Sequence, residues 1–96
     1  MNAEQRLTKI QAEQMHHALG NIHIHKNWKD KTVLAKAYRN KFFTYASDSN
    51  WNDLVKKGFA DVNIQKNFDG SDMFFYYVTE KGVHELRERK TKETVA

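Results

Sequence analysis

Two β-prone runs joined by one turn constrain this chain more than any other feature. Phe59 to Gln65 alternates apolar and polar side chains, Met73 to Val78 is wholly apolar or aromatic, and Asn67-Phe68-Asp69-Gly70-Ser71-Asp72 supplies turn residues between them. That pattern reads as a β-hairpin. Phe74, Phe75, Tyr76 and Tyr77 are consecutive on its second strand, so alternation sends two rings to each face. The pair turned away from the core is then either covered by the last helix or left as a dimer or partner surface. The chain holds no proline, where average usage gives about five, and only four glycines. Its other turns must rest on Asn, Asp and Ser.

Helical periodicity flanks the hairpin. Leu7, Ile10, Met15 and Leu19 keep close to a 3.6-residue period, which predicts a helix over 3–19 stopped by Gly20-Asn21. Ile22-His23-Ile24-His25 alternates and predicts a short strand, followed by a loop containing Trp28. A second helix is expected from Lys31, capped by Asp30 or Thr32, with Val33, Leu34, Ala35, Ala37 and Tyr38 on it and a break near Asn40. The sequence leaves 40–46 open between helix, strand and loop. Ser47-Asp48-Ser49-Asn50 is a capping cluster for a third helix that carries Trp51, Leu54 and Val55 and stops at Gly58. Thr79 caps a last helix from Glu80 to about Lys90, with Val83, Leu86 and His84 on its apolar side, and residues 91–96 are expected to fray.

Ninety-six residues without cysteine make one domain with one modest core, excluding a disulfide scaffold, a thiolate zinc site and a cysteine nucleophile. The longest apolar run is six residues, Met73 to Val78, too short for a membrane span or a signal-peptide core, so the expectation is a cytoplasmic protein. The domain is drawn as 1–90 with a tail of 91–96.

Two phrases carry a resemblance. Leu54-Val55-Lys56-Lys57-Gly58-Phe59 resembles the end of a recognition helix, and Tyr77-Val78-Thr79-Glu80-Lys81-Gly82 resembles the exit from the wing in many small bacterial winged-helix regulators. Together with the element order they imply an α+β, winged helix-turn-helix-like fold: three N-terminal helices, a β-hairpin wing and a C-terminal helix. A second resemblance spans most of the chain. His17-Ala18-Leu19-Gly20, Tyr38-Arg39-Asn40-Lys41-Phe42, Gly58-Phe59 and Val78-Thr79-Glu80 are similar to small phage and prophage proteins that have no assigned activity. The function implied is DNA binding and transcription regulation, or an accessory role, without catalysis.

Charge is distributed against the usual winged-helix arrangement, in which the third helix enters the major groove and the wing lies on phosphate. Residues 21–47 hold six basic and one acidic residue, net +5, whereas residues 48–72, the recognition helix and wing, are net −2. The nucleic-acid surface is therefore expected on the second helix and the loop before it: Lys29, Lys31, Lys36, Arg39 and Lys41, with Asn40 as a base reader and Trp28 or Phe43 as stacking rings. A solvated basic helix face is the competing account. On the third helix Asn52 is a candidate base reader and Lys56 a phosphate contact, while Asn50 is better explained as a cap. Phe68, Asp69 and Asp72 at the hairpin tip suit a protein partner better than DNA.

His16, His17, His23 and His25 lie within ten residues, but without Cys or nearby carboxylates they are not expected to hold a structural metal. His17 is expected to pack near the helix end, with His23 and His25 facing solvent. No nucleophile, base and orienter can be named together, and the chain has no phosphate-cradling glycine loop, so neither catalysis nor a cofactor is expected. Double-stranded DNA is the expected partner, with a homodimer one way to read paired half-sites. The rival reading is an interaction module that binds a host or phage protein through its acidic hairpin.

Overall fold

A computed structural model describes residues 7–37 and 39–95; the expected helical residues 3–6, and Tyr38, lie outside them. It is an α+β fold of four helices and a three-stranded antiparallel sheet in the order α1 (Lys9–Ala18), α2 (Asp30–Lys36), β1 (Phe42–Thr44), α3 (Ser49–Lys57), β2 (Ala60–Lys66), β3 (Asp72–Val78) and α4 (Glu80–Val95). The strands lie in the order β1-β3-β2, with Phe42 opposite Tyr76 on one side of β3 and Val62 opposite Tyr76 on the other.

Local chemistry explains most element ends. Thr8 opens α1 by a capping box: the Gln11 N–H donates to Thr8 Oγ1 (3.0 Å) and the Thr8 N–H donates back to Gln11 Oε1 (3.1 Å). Left-handed Gly20 and Asn21 turn the chain out of it, the Asn21 N–H donating to the His16 carbonyl (2.8 Å). Asp48 Oδ1 accepts the Trp51 N–H (3.0 Å) at the start of α3, and Gly58 closes that helix at φ 85°. Asp48, not Asn50, is the cap. Thr79 Oγ1 accepts the Gly82 N–H (3.1 Å) and donates to the Gly58 carbonyl (2.7 Å), so one hydroxyl opens α4 and ties it to the end of α3.

Several expectations are corrected. Ile22–His25 forms no strand: Ile22 and Ile24 lean on the core and His23 and His25 face out, but no strand lies beside them to supply a ladder. The third strand is instead Phe42–Thr44, within the stretch left open. Neither Asp30 nor Thr32 caps α2: Lys29 stands at the N-cap and makes no side-chain cap bond, and the Asp30 carboxylate, already inside the helix, pairs with Arg87 of α4 (2.9 Å). Helix α2 ends at Lys36 and packs against α4 rather than α3. A strand and its flanks therefore fall where a helix-turn-helix pair has a turn of three or four residues. Ile10 is 60 % exposed, because α1 buries Gln11, Ala12, Met15 and Ala18, a face rotated away from it. His17 is exposed, and His84 faces out toward Asp30 and Glu88 (3.6 Å each) rather than into the core. Helix α4 continues to Val95 rather than to about Lys90; no Gly or Pro follows Gly82 to stop it.

The core lies between the helices and one face of the sheet. Met15, Leu19, Val33, Trp51, Leu54, Tyr76, Val78 and Val83 are at most 1 % exposed. Trp51 stacks against Phe42 (5.6 Å between centroids) and Tyr76 (5.7 Å), which also meet each other (6.3 Å). Gln11, 2 % exposed, staples α1 to α3 by donating to Asp53 Oδ2 (2.8 Å) and the Asn50 carbonyl (3.2 Å). Among the described residues, no helix is long and apolar enough to cross a membrane.

Candidate nucleic-acid interface

Lys26, Lys29, Lys31, Lys36, Arg39 and Lys41 are all exposed, so the basic excess of residues 21–47 is on the surface. Its anchors to the body of the protein are specific. Arg87 of α4 donates to Asp30 Oδ1 and to the Lys26 carbonyl (2.9 Å each), holding the loop and the start of α2 onto α4. Arg39 donates to the His17 carbonyl at the end of α1 (2.9 Å), and the Lys41 N–H donates to the Ala18 carbonyl (3.2 Å). The ends of α1 thus receive the basic segment as it enters β1, and Lys41 carries its Nζ to 5.8 Å from the centroid of Phe75.

Asn40 has a different task from the one expected. Its Oδ1 accepts the Val78 N–H (2.8 Å) and its Nδ2 donates to the Val78 carbonyl (2.9 Å). The ladder register places residue 40 opposite Val78, so the side-chain amide stands in for a strand backbone and extends the β1–β3 ladder. That amide is committed to the sheet rather than offered to a base edge. Trp28 is half-buried against the core with His25 on its ring (4.8 Å), and His23 meets His25 edge-on (4.8 Å).

On α3, Asn52 and Lys56 are exposed. The Tyr76 hydroxyl donates to Asn52 Oδ1 (2.6 Å), which ties the outer face of α3 to β3. Lys57 pairs with Asp53 (2.8 Å), and these bonds, with that from Gln11, hold the Asp53 carboxyl below its ordinary range. At the hairpin tip, Asp69 accepts from the Ser71 hydroxyl and N–H (2.6 and 2.9 Å), which lowers its pKa, and Asp72 pairs with Lys66 (2.6 Å). Both carboxylates are occupied by the turn. Phe68, just before Asp69, is fully exposed and has no neighbour to cover it among the described residues.

The structure decides which rings leave the core. Phe74 and Tyr76 point inward with Val78; half-buried Phe75 and exposed Tyr77 point to the other face of the sheet, and α4 packs chiefly against α2. Phe43 joins them from β1, 5.0 Å from Phe75, and Tyr45 meets Phe43 edge-on at 4.8 Å. Phe43 and Tyr77 are 39 % exposed and Tyr45 64 %. Tyr45, and the assignment of Phe75 and Tyr77 to this face, escaped the sequence reading. The signal was the burial of Val78, from which the parity of the whole strand follows. Among the described residues, no group of three or more His, Asp or Glu is arranged to hold a metal. No family model, curated protein or solved structure matches the chain.

Proposed function

We propose that this chain is a small non-catalytic DNA-binding domain of the winged-helix type, in which the basic segment from Lys26 to Lys41, rather than the hairpin, engages phosphate. The observation that carries this reading is that all six cations between residues 26 and 41 are exposed, set against a hairpin whose tip is acidic. Phosphate contacts supply most non-specific affinity, so the surface with the surplus of cations is where a duplex lies. The strand order β1-β3-β2 and a hairpin that leads from one helix directly into another support the winged-helix type; the strand between α2 and α3 sets this domain apart from the helix-turn-helix pattern. A regulatory or accessory role in a phage or prophage follows the sequence resemblance, and a cytoplasmic place follows the absence of a long apolar run in the sequence.

The test is a fluorescence-anisotropy titration of labelled random duplex DNA at about 50 and about 200 mM salt, a range over which several phosphate contacts cost orders of magnitude in affinity. The double variant Lys31→Ala/Lys36→Ala removes two exposed cations without touching the Arg39–His17 bond. It is expected to bind about 1–3 kcal/mol more weakly, with a shallower salt dependence. Full affinity in that variant would exclude the helix face, and no binding at either salt would leave the exposed Phe68 tip and a protein partner as the better account.

A further inference from the structure

The uncovered face of the sheet is an ordered grid rather than a bare apolar patch. Its central row is Phe43, Phe75 and Asn63, one from each strand, set side by side by the ladder register. Tyr77 lies beside Asp61 on one side of that row and Met73 beside Gln65 on the other. Lys41 and Tyr45, just before and after β1, complete the β1 side, with Lys41 over the Phe75 ring and Tyr45 against Phe43. Aromatic faces thus occupy the middle of the surface, a cation enters from the β1 edge, and two exposed amides, Asn63 and Gln65, line the β2 edge.

We propose that this face holds a single strand of DNA, with bases stacked on Phe43 and Tyr45, phosphates along the β1 edge and base edges toward Asn63 and Gln65. The inference rests on the nucleic-acid reading above and names the form of nucleic acid this second surface takes. Base–aromatic stacking is tolerant of sequence and needs open rings beside a backbone-tracking cation, the combination that Lys41 and the exposed rings of Phe43 and Tyr45 present over a half-buried Phe75. Charge complementarity favours a polyanion at this edge, because β1 is entered directly from the basic segment, net +5 over residues 21–47. The one carboxylate on the grid, Asp61, lies on the far strand. It is occupied by the Val62 N–H (2.8 Å) and the Tyr77 hydroxyl (3.3 Å), so it stands away from the phosphate path. A second copy of the chain would bury Lys41, Asn63, Gln65 and Asp61 on both partners, a desolvation cost that only close pairing of every group repays.

The experiment compares anisotropy titrations of labelled dT12, rU12 and a random duplex at about 50 mM salt with the wild-type chain and the variants Phe43→Ala, Tyr45→Ala and Phe43→Leu, after thermal melts establish that each variant is folded. Loss of one stacking ring is expected to weaken dT12 binding about 5- to 150-fold while duplex affinity stays within twofold. Phe43→Leu, which keeps the apolar area but not the ring face, is expected to behave like Phe43→Ala. Unchanged dT12 affinity in all three variants, with duplex still bound, overturns this inference and leaves the duplex reading standing. Binding of neither dT12 nor duplex by the wild-type chain fails that reading itself. Tighter binding of rU12 than dT12, or a concentration-dependent dimer in sedimentation that Phe43→Ala abolishes, also overturns it in favour of RNA or of a second copy.

Discussion

Replacing Asn40 by alanine separates a structural role from a base-reading one. The Asn40 amide makes two hydrogen bonds with the backbone of Val78, at 2.8 and 2.9 Å, and Val78 is 1 % exposed. Removing the amide leaves a buried N–H and a buried carbonyl without partners at the point where β3 hands over to α4. A buried group left unsatisfied costs about 1–3 kcal/mol, so the pair amounts to about 2–6 kcal/mol. A domain of this size holds about 5–15 kcal/mol in all and melts about 4–8 °C lower for each kcal/mol lost, so Asn40→Ala is expected to lower Tm by ten degrees or more. Urea unfolding followed by far-ultraviolet circular dichroism measures the change through the midpoint at unchanged slope. Titrated with duplex DNA at a temperature where the variant is folded, Asn40→Ala should bind as the wild type does. A variant of wild-type stability that has lost DNA affinity would refute this reasoning and return Asn40 to the role of a base reader.

Two glycines test packing against backbone conformation. A Cβ on Gly82 would lie 2.0 Å from the Phe59 carbonyl oxygen and 2.9 Å from Val78 Cγ1. Gly82→Ala should therefore destabilise by about 2–3 kcal/mol in urea unfolding, despite the better helix propensity of alanine. Gly70, at φ 86° with open space around it, should lose only about 1 kcal/mol on change to Ala and less to Asn, which accepts that conformation. For Asp53, the Lys57 and Gln11 bonds keep the folded-state pKa below the ordinary 3.8. Its contribution to stability is thus present above that value and lost as the pH falls below it through the folded-state pKa. Because the side chain is 42 % exposed, screening holds this contribution under about 1 kcal/mol. Asp53→Asn should shrink the difference in unfolding midpoint between pH 7 and pH 3, and an unchanged difference would show that the pairing carries no stability.

What the sequence by itself determined is the set of features made within a few residues of chain. The Asn67–Asp72 turn, the cap at Asp48 within its polar cluster, the stop at Gly58, the Thr79 cap and the close approach at Gly82 are all legible because residue type and local backbone geometry decide them together. The cationic surface is legible for a related reason: lysines and arginines without buried partners stay in water wherever the chain goes. Only the tertiary structure decided the rest. Phe42–Thr44 is a strand, and the equally alternating Ile22–His25 is not, because β3 has two edges and they are taken by β1 and β2. A ladder needs a partner, and the partner of β1 lies thirty or more residues away. The same distance hid the role of Asn40, whose bonds span 38 residues, and that of Gln11, whose bond to Asp53 spans 42. The outward placement of Phe75 and Tyr77 turned on which parity the core chose, and α4 lies away from them because its apolar side, Val83 and Leu86, is buried in the core beside α2.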